Sequence, residues 1–221
     1  MKKSHLSLIV FTCVAMLSLC AQEKKAENPW KDAEKLFPGI KLIKLEKTEP
    51  RLMKIHIVRV DLKDGKFRFF TAGDFSGSAM DANGVTLLPE EHLAKTLTGP
   101  VSAAKVNHHG YGSMPDSLLR ALRAKVYAAC TWDVLHLTDD CLARFANPSN
   151  CEKGTLLVPG NFGATRRTVE NAAGRALFPD EVYGGVHSII DVPPGGETFT
   201  LSLVDAHDED MRVVYSRQFS S

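Results

Sequence analysis

The chain has 221 residues and a net charge of +1, with 44% hydrophobic and 24% charged residues. That is room and composition for one ordinary globular domain, or one domain with a short appendage. The near-neutral charge and the lack of aromatics interleaved with basic runs argue against a nucleic-acid-binding surface.

Residues 1–22 read as an export signal. Lys2 and Lys3 form a positive start, Leu6 to Leu19 an apolar stretch, and Cys20 and Ala21 the small residues of a cleavage point. Gln22-Glu23-Lys24-Lys25 follows too soon for a membrane span. Two outcomes stay open: ordinary cleavage near Ala21, which the bulky Leu19 favours, or lipidation at Cys20, which alone would bring the chain to a membrane. Either one puts the mature chain outside the cytoplasm, as a periplasmic, secreted or lipid-anchored protein. Residues 23–36 are polar and charged and read as a linker, leaving 37–221 as the domain.

Ile40 to Leu45 suggests a short strand. Leu52 to Val60, rich in β-branched residues, and Lys66 to Ala72 read as an antiparallel hairpin turned at Asp64-Gly65. Asp81 to Gly84 reads as a loop, and Pro89 to Leu97 as a helix ended by Gly99-Pro100. Ser102 to Val106 is a strand that runs into His108 and His109. Pro115 to Ala124 places Leu118, Leu119 and Leu122 on one helical face, with Asp116 or Ser117 as a cap. Val126 to Cys130 and Thr155 to Val158 are further strands, with a helix at Asp139 to Phe145 between them. Val186 to Val192 and Thr198 to Val204 are strands joined by Pro193-Pro194-Gly195-Gly196, and Met211 to Tyr215 is the last. The alternation predicts an α/β fold: a mixed sheet with flanking helices.

Chemistry concentrates in two places. Lys105-Val106-Asn107-His108-His109-Gly110 ends a hydrophobic strand in two imidazoles and a glycine, which suits a metal site better than a core. Gly73-Asp74 ends an earlier strand and reads either as a plain turn or as a carboxylate ligand. If the strand ran on through His108 and His109, their rings would face opposite sides. His136, His187 and His207 show no ligand spacing and read as hydrogen-bonding or packing residues, and His56 as a strand histidine. Once the signal is removed, Cys130, Cys141 and Cys151 remain. Cys141 and Cys151 read equally as a bridge or as small buried thiols. Gly160-Asn161-Phe162-Gly163 and Gly184-Gly185 lack the context of a phosphate loop, and Asp208-Glu209-Asp210 reads as a solvated turn.

Phe69-Phe70-Thr71-Ala72-Gly73-Asp74 followed by Lys105 to Gly110 resembles the second half of a metallo-β-lactamase-type domain. The likeness is to the extracellular domain of DNA-uptake channel proteins and related bacterial hydrolases. It continues through Asp116 to Val126, Trp132 to His136, Gly185-Val186-His187 and Asp191 to Glu197, covering residues 63–219. The resemblance implies the C-terminal half of a four-layer αββα sandwich. It also implies that Asp74 and His108 are metal ligands, that His109 faces the substrate or supports the ligands, and that the metal is zinc. The implied reaction is attack of metal-activated water on an ester, amide or phosphodiester.

The family's His-x-His-x-Asp-His signature is absent, and before Asp74 the chain has only His5 and His56. The resemblance therefore implies an incomplete domain with a partial site, whose uncovered sheet face calls for a dimer or a partner chain. A non-catalytic extracytoplasmic binding or remnant protein is the alternative. A second likeness, of Pro50 to Leu62 within residues 37–68, is to the opening strand of secreted phosphodiester glycosidase domains. A fusion, a truncated gene or a fragment of such a glycosidase would account for it.

Overall fold

The computed structural model describes residues 6–9, 40–44, 58–62, 66–75, 79–80, 86–87, 89–97, 99–131, 136–158 and 185–221. They divide into two compact units, one drawn from Met1–Ile43, Val60–Arg68 and Gly185–Ser221, the other from Lys44–Arg59 and Phe69–Gly184. Strands β1 (Leu6–Ile9), β2 (Ile40–Lys44) and β3 (Val58–Leu62) come first. Then follow β4 (Arg68–Thr71), the short pair β5 (Ala79–Met80) and β6 (Thr86–Leu87), and helix α1 (Pro89–Thr96). β7 (Ala103–Lys105), α2 (Asp116–Leu122), β8 (Val126–Ala128), α3 (Asp139–Ala146) and β9 (Leu156–Val158) continue the alternation. β10 (Val186–Val192), β11 (Thr198–Asp205) and β12 (Val213–Ser220) end the chain. The mixed α/β class follows directly from this order.

In the second unit β4, β7, β8 and β9 lie side by side and parallel, with Phe70 opposite Ala104, Ala104 opposite Tyr127, and Tyr127 opposite Leu157. Parallel neighbours need crossovers, and α1, α2 and α3 supply them in turn. A parallel sheet is buried on both faces, so its strands carry near-continuous apolar runs. Ala-Ala-Lys, Val-Tyr-Ala and Leu-Leu-Val are buried at every position. Leu118, Leu119 and Leu122 of α2 and Leu142 and Phe145 of α3 pack with Phe70, Ala104, Tyr127 and Leu157. Each of these leucines and phenylalanines contributes about 1.5–3 kcal/mol when fully buried. Tyr127 stands edge-on to Phe145 with ring centroids 5.0 Å apart, and its hydroxyl accepts the Ala124 N–H at 3.2 Å.

The second unit also holds the antiparallel pair β5–β6, and the first unit holds a larger antiparallel sheet. β10 pairs with β11 and β11 with β12, and β1 lies against β10 with Leu6 opposite Val192. Inward positions alternate, as an antiparallel sheet with one solvated face requires: Ile190, Val192, Phe199, Leu201 and Leu203 are buried. The β10–β11 turn uses the positive φ of Gly195 (93°) and Gly196 (58°), closed by Gly196 N–H to the Pro193 carbonyl at 3.0 Å. Phe199 sits between Phe67 and Phe219, with centroids at 5.3 and 5.1 Å.

Several expectations meet the structure at altered boundaries. The helix at Asp116 has Pro115 as its N-cap and no side-chain cap; the Asp116 carboxylate instead accepts from Asn150 at 2.8 Å. Leu52–Ile57, Asp64-Gly65, Asp81–Gly84 and Gly160–Gly163 lie outside the described residues, and so does most of the glycosidase-like segment. No disulfide joins Cys141 and Cys151, which are both buried thiols of the hydrophobic core. Burial pushes the Cys141 thiol up to about 12. The Asp208–Asp210 segment is a turn, with Asp210 N–H bonded to the Asp208 carboxylate at 3.0 Å. Among the described residues no helix is long and apolar enough to cross a membrane.

Candidate functional site

Three adjacent parallel strands end at one edge of the sheet: β4 before Gly73-Asp74, β7 before the two histidines, and β8 before Cys130. Ligands of open parallel sheets bind beyond the carboxyl ends of strands. The sequence therefore carries its chemistry to the edge where the topology favours a site.

The strand does not run on through the histidines. Val106 still pairs, donating to the Ala128 carbonyl at 2.8 Å, but His108 N–H then bonds the Gly73 carbonyl at 3.0 Å. His108 (φ 42°), His109 (φ 55°) and Gly110 (φ 77°) turn in the left-handed region. Non-glycine residues rarely adopt that conformation, and each holds about 1–3 kcal/mol of backbone strain. Neighbouring backbone fixes it: the His109 carbonyl accepts Leu137 N–H at 3.0 Å, and the Gly110 carbonyl accepts Thr138 N–H at 3.2 Å. Gly110 is required twice over, since a Cβ there would lie 2.5 Å from Leu137 Cδ2.

The two rings consequently take different roles. His109 is buried, with Nε2 3.4 Å from Asp74 Oδ1 and Nδ1 against the Cys130 carbonyl. A carbonyl only accepts, so Nδ1 donates to it, which leaves Nε2 directed at the carboxylate. The two atoms form an imidazole–carboxylate pair, and when Nε2 is unprotonated both present lone pairs to a shared cation. His136 stacks on His109, centroids 4.5 Å apart and 10° between planes, and sets the ring's tilt. His108 stands edge-on to the exposed Tyr111 at 5.7 Å, and its Nδ1 is buried without a hydrogen-bond partner. The resemblance names His108 as the ligand beside Asp74; the geometry brings His109 to that place.

Sequence reasoning missed the support beneath the loop. Glu90, on the first turn of α1, is fully buried; its Oε1 accepts Asn107 Nδ2 at 2.6 Å and its Oε2 accepts Met114 N–H at 2.9 Å. Burial pushes its carboxyl up to about 7, against the lowering effect of Asn107, the Met114 N–H and Arg144. Arg144 of α3 donates to the Met114 and Ser113 carbonyls at 3.0 and 2.9 Å. Lys105 is 9% exposed and ties the two motifs together by donating to the Gly73 carbonyl at 3.2 Å. In the sequence Glu90 resembles any acidic residue favoring a helix N-terminus, and only its position after Pro89 hints at a first-turn role.

The donor spacing suits a metal. Tetrahedral zinc with bonds of about 2.0–2.2 Å places neighbouring ligand atoms about 3.4 Å apart, the separation found between Asp74 Oδ1 and His109 Nε2. Catalytic zinc takes three protein ligands, and among the described residues no group of three His, Cys, Asp or Glu converges. The described residues thus supply two of the three donors that a catalytic zinc takes. His187 is half-buried on β10, and His207 N–H bonds the Asp205 carboxylate at 2.9 Å. No protein-family model, curated protein or solved structure matches the chain.

Proposed function

We propose that this chain is an exported metallo-β-lactamase-like hydrolase domain, incomplete in its metal site, to which Asp74 and His109 contribute two donors. The observation that carries the reading is the Asp74–His109 pair, with Nε2 and Oδ1 at 3.4 Å and Nδ1 committed to the Cys130 carbonyl. A metal-ligating histidine ordinarily donates its other ring N–H to a carbonyl or carboxylate, which fixes the tautomer and raises ligand basicity. Zinc held there would activate water for attack on an ester, amide or phosphodiester. The chain's own residues would hold the donors in register at the ends of β4 and β7.

The test is elemental analysis and zinc titration of the purified full chain, with Asp74→Ala and His109→Ala as variants. Zinc uptake that both variants abolish supports the reading, and hydrolysis of chromogenic ester, amide and phosphodiester substrates then identifies the class. No uptake above background overturns it. The absence of a third donor among the described residues favours one second reading, a non-catalytic extracytoplasmic protein that keeps the Asp–His pair without a metal; that result would support it.

A further inference from the structure

The loop that carries both histidines is closed at its base by a carboxylate from another element. Asn107 and Met114 mark the two ends of the loop, and both are fully buried. Glu90 bridges them, taking the Asn107 side-chain amide on one oxygen and the Met114 backbone N–H on the other. Ser113 closes the same gap by donating its hydroxyl to the Asn107 carbonyl at 2.7 Å. Met114 has φ 59°, so the loop both begins and ends its excursion in left-handed backbone. Such conformations persist only where surrounding structure over-determines them. The Met114 thioether also accepts the Asn107 N–H at 3.4 Å, and the α1 carboxylate is the group from outside the loop that engages both ends.

We propose that Glu90 is a positioning residue for the Asp74–His109 pair, stapling the two ends of the 107–114 loop so that His109 keeps Nε2 on Asp74 and Nδ1 on the Cys130 carbonyl. The proposal rests on that pair being the functional site. It assigns a specific chemistry to the staple: in its ionised form Glu90 sets two acceptor oxygens against two buried donors. Glutamine keeps the reach but offers one acceptor and one donor. Asn107 can meet it by rotating its amide, because Asn107 Oδ1 is buried and without a hydrogen-bond partner. Aspartate keeps the charge but draws the carboxylate back by one methylene, so it cannot bridge both ends.

The experiment compares the full chain with Glu90→Gln, Glu90→Asp and Leu93→Ala. Leu93 is a buried residue of the same helix that belongs to the hydrophobic core. The readouts are the imidazole nitrogen NMR signals of His109 and zinc affinity by titration. The wild type should show one fixed tautomer with the proton on Nδ1. Glu90→Gln and Leu93→Ala should retain it, while Glu90→Asp should give a tautomer-averaged ring and lose about 10-fold or more in zinc affinity. A Glu90→Asp ring identical to wild type overturns the proposal, and so does an averaged ring in Leu93→Ala, which would mean that any loss of core packing frees the histidine. Absence of zinc uptake by the wild type overturns the metallohydrolase reading instead, and the ring signals still decide the role of Glu90.

Discussion

Glu90 makes the strongest quantitative prediction, because its burial has a sign and a size. Its carboxyl rises from an ordinary 4.5 to about 7 in the folded chain, with burial as the largest cause. Between these values the native state keeps a proton that the unfolded chain has released, so stability falls as pH rises through the window. The full effect is about 3 kcal/mol at one pKa unit per 1.36 kcal/mol. It is absent below about 4.5 and complete above about 7. Glu90→Gln removes the titration while keeping the shape. Urea unfolding of wild type and variant from about pH 5 to pH 8 would measure it, since other titrating groups contribute equally to both chains and cancel in the difference. The wild type should lose about 3 kcal/mol relative to Glu90→Gln from the acidic to the alkaline end. Parallel pH profiles, or a difference that grows in favour of the wild type with rising pH, would refute the assignment of Glu90 as a desolvated carboxyl.

Gly110→Ala combines a φ of 77° with a Cβ 2.5 Å from Leu137 Cδ2; chemical denaturation should show a loss of about 2 kcal/mol or more. Phe145→Ala empties a fully buried position against Tyr127 and should cost about 3–5 kcal/mol in the same assay. Hydrogen bonding from Thr138, with Arg144 alongside, holds the Asp140 carboxyl below its ordinary 3.8. Its contribution is present above that value and disappears as pH falls, so Asp140→Asn should cost less than about 1 kcal/mol at neutral pH, a gap that closes in acid. Cys141 and Cys151, buried and without a disulfide, should react with a thiol reagent only on unfolding, and added reductant should leave the unfolding midpoint unchanged.

The architecture was legible wherever local pattern and tertiary burial agree. Val186 to Val192 alternates and ends at Pro193, and β10 spans those residues. Leu118, Leu119 and Leu122 have helical spacing and face the core of α2. Boundaries shifted where a tertiary partner captured a group that local pattern had assigned elsewhere. Asp116 or Ser117 reads as the cap of its helix, but Asn150, beyond β8 and α3 in the chain, engages the Asp116 carboxylate. The strand toward His108 stops at Lys105, and the Gly73 carbonyl, in the turn after β4, takes the His108 N–H. A sequence window does not contain that partner.

The site was legible as residue types and not as roles. Asp74 and the histidine pair stand out by chemistry, and the parallel order of β4, β7 and β8 brings them to one edge. Which histidine faces Asp74 depends on backbone sign. In an extended chain the two rings alternate, and either could be directed at the carboxylate by choice of face. With φ positive at both residues the alternation is lost, and ring direction follows from what the loop is fastened to. Leu137 holds the His109 carbonyl, His136 stacks on its ring, and Glu90 fastens the ends. The position of the donor thus depends on contacts from α1 and from the segment before α3. A motif that names two adjacent histidines locates a sheet edge, while the buried carboxylate and the stacked imidazole bear on which of the two rings faces Asp74.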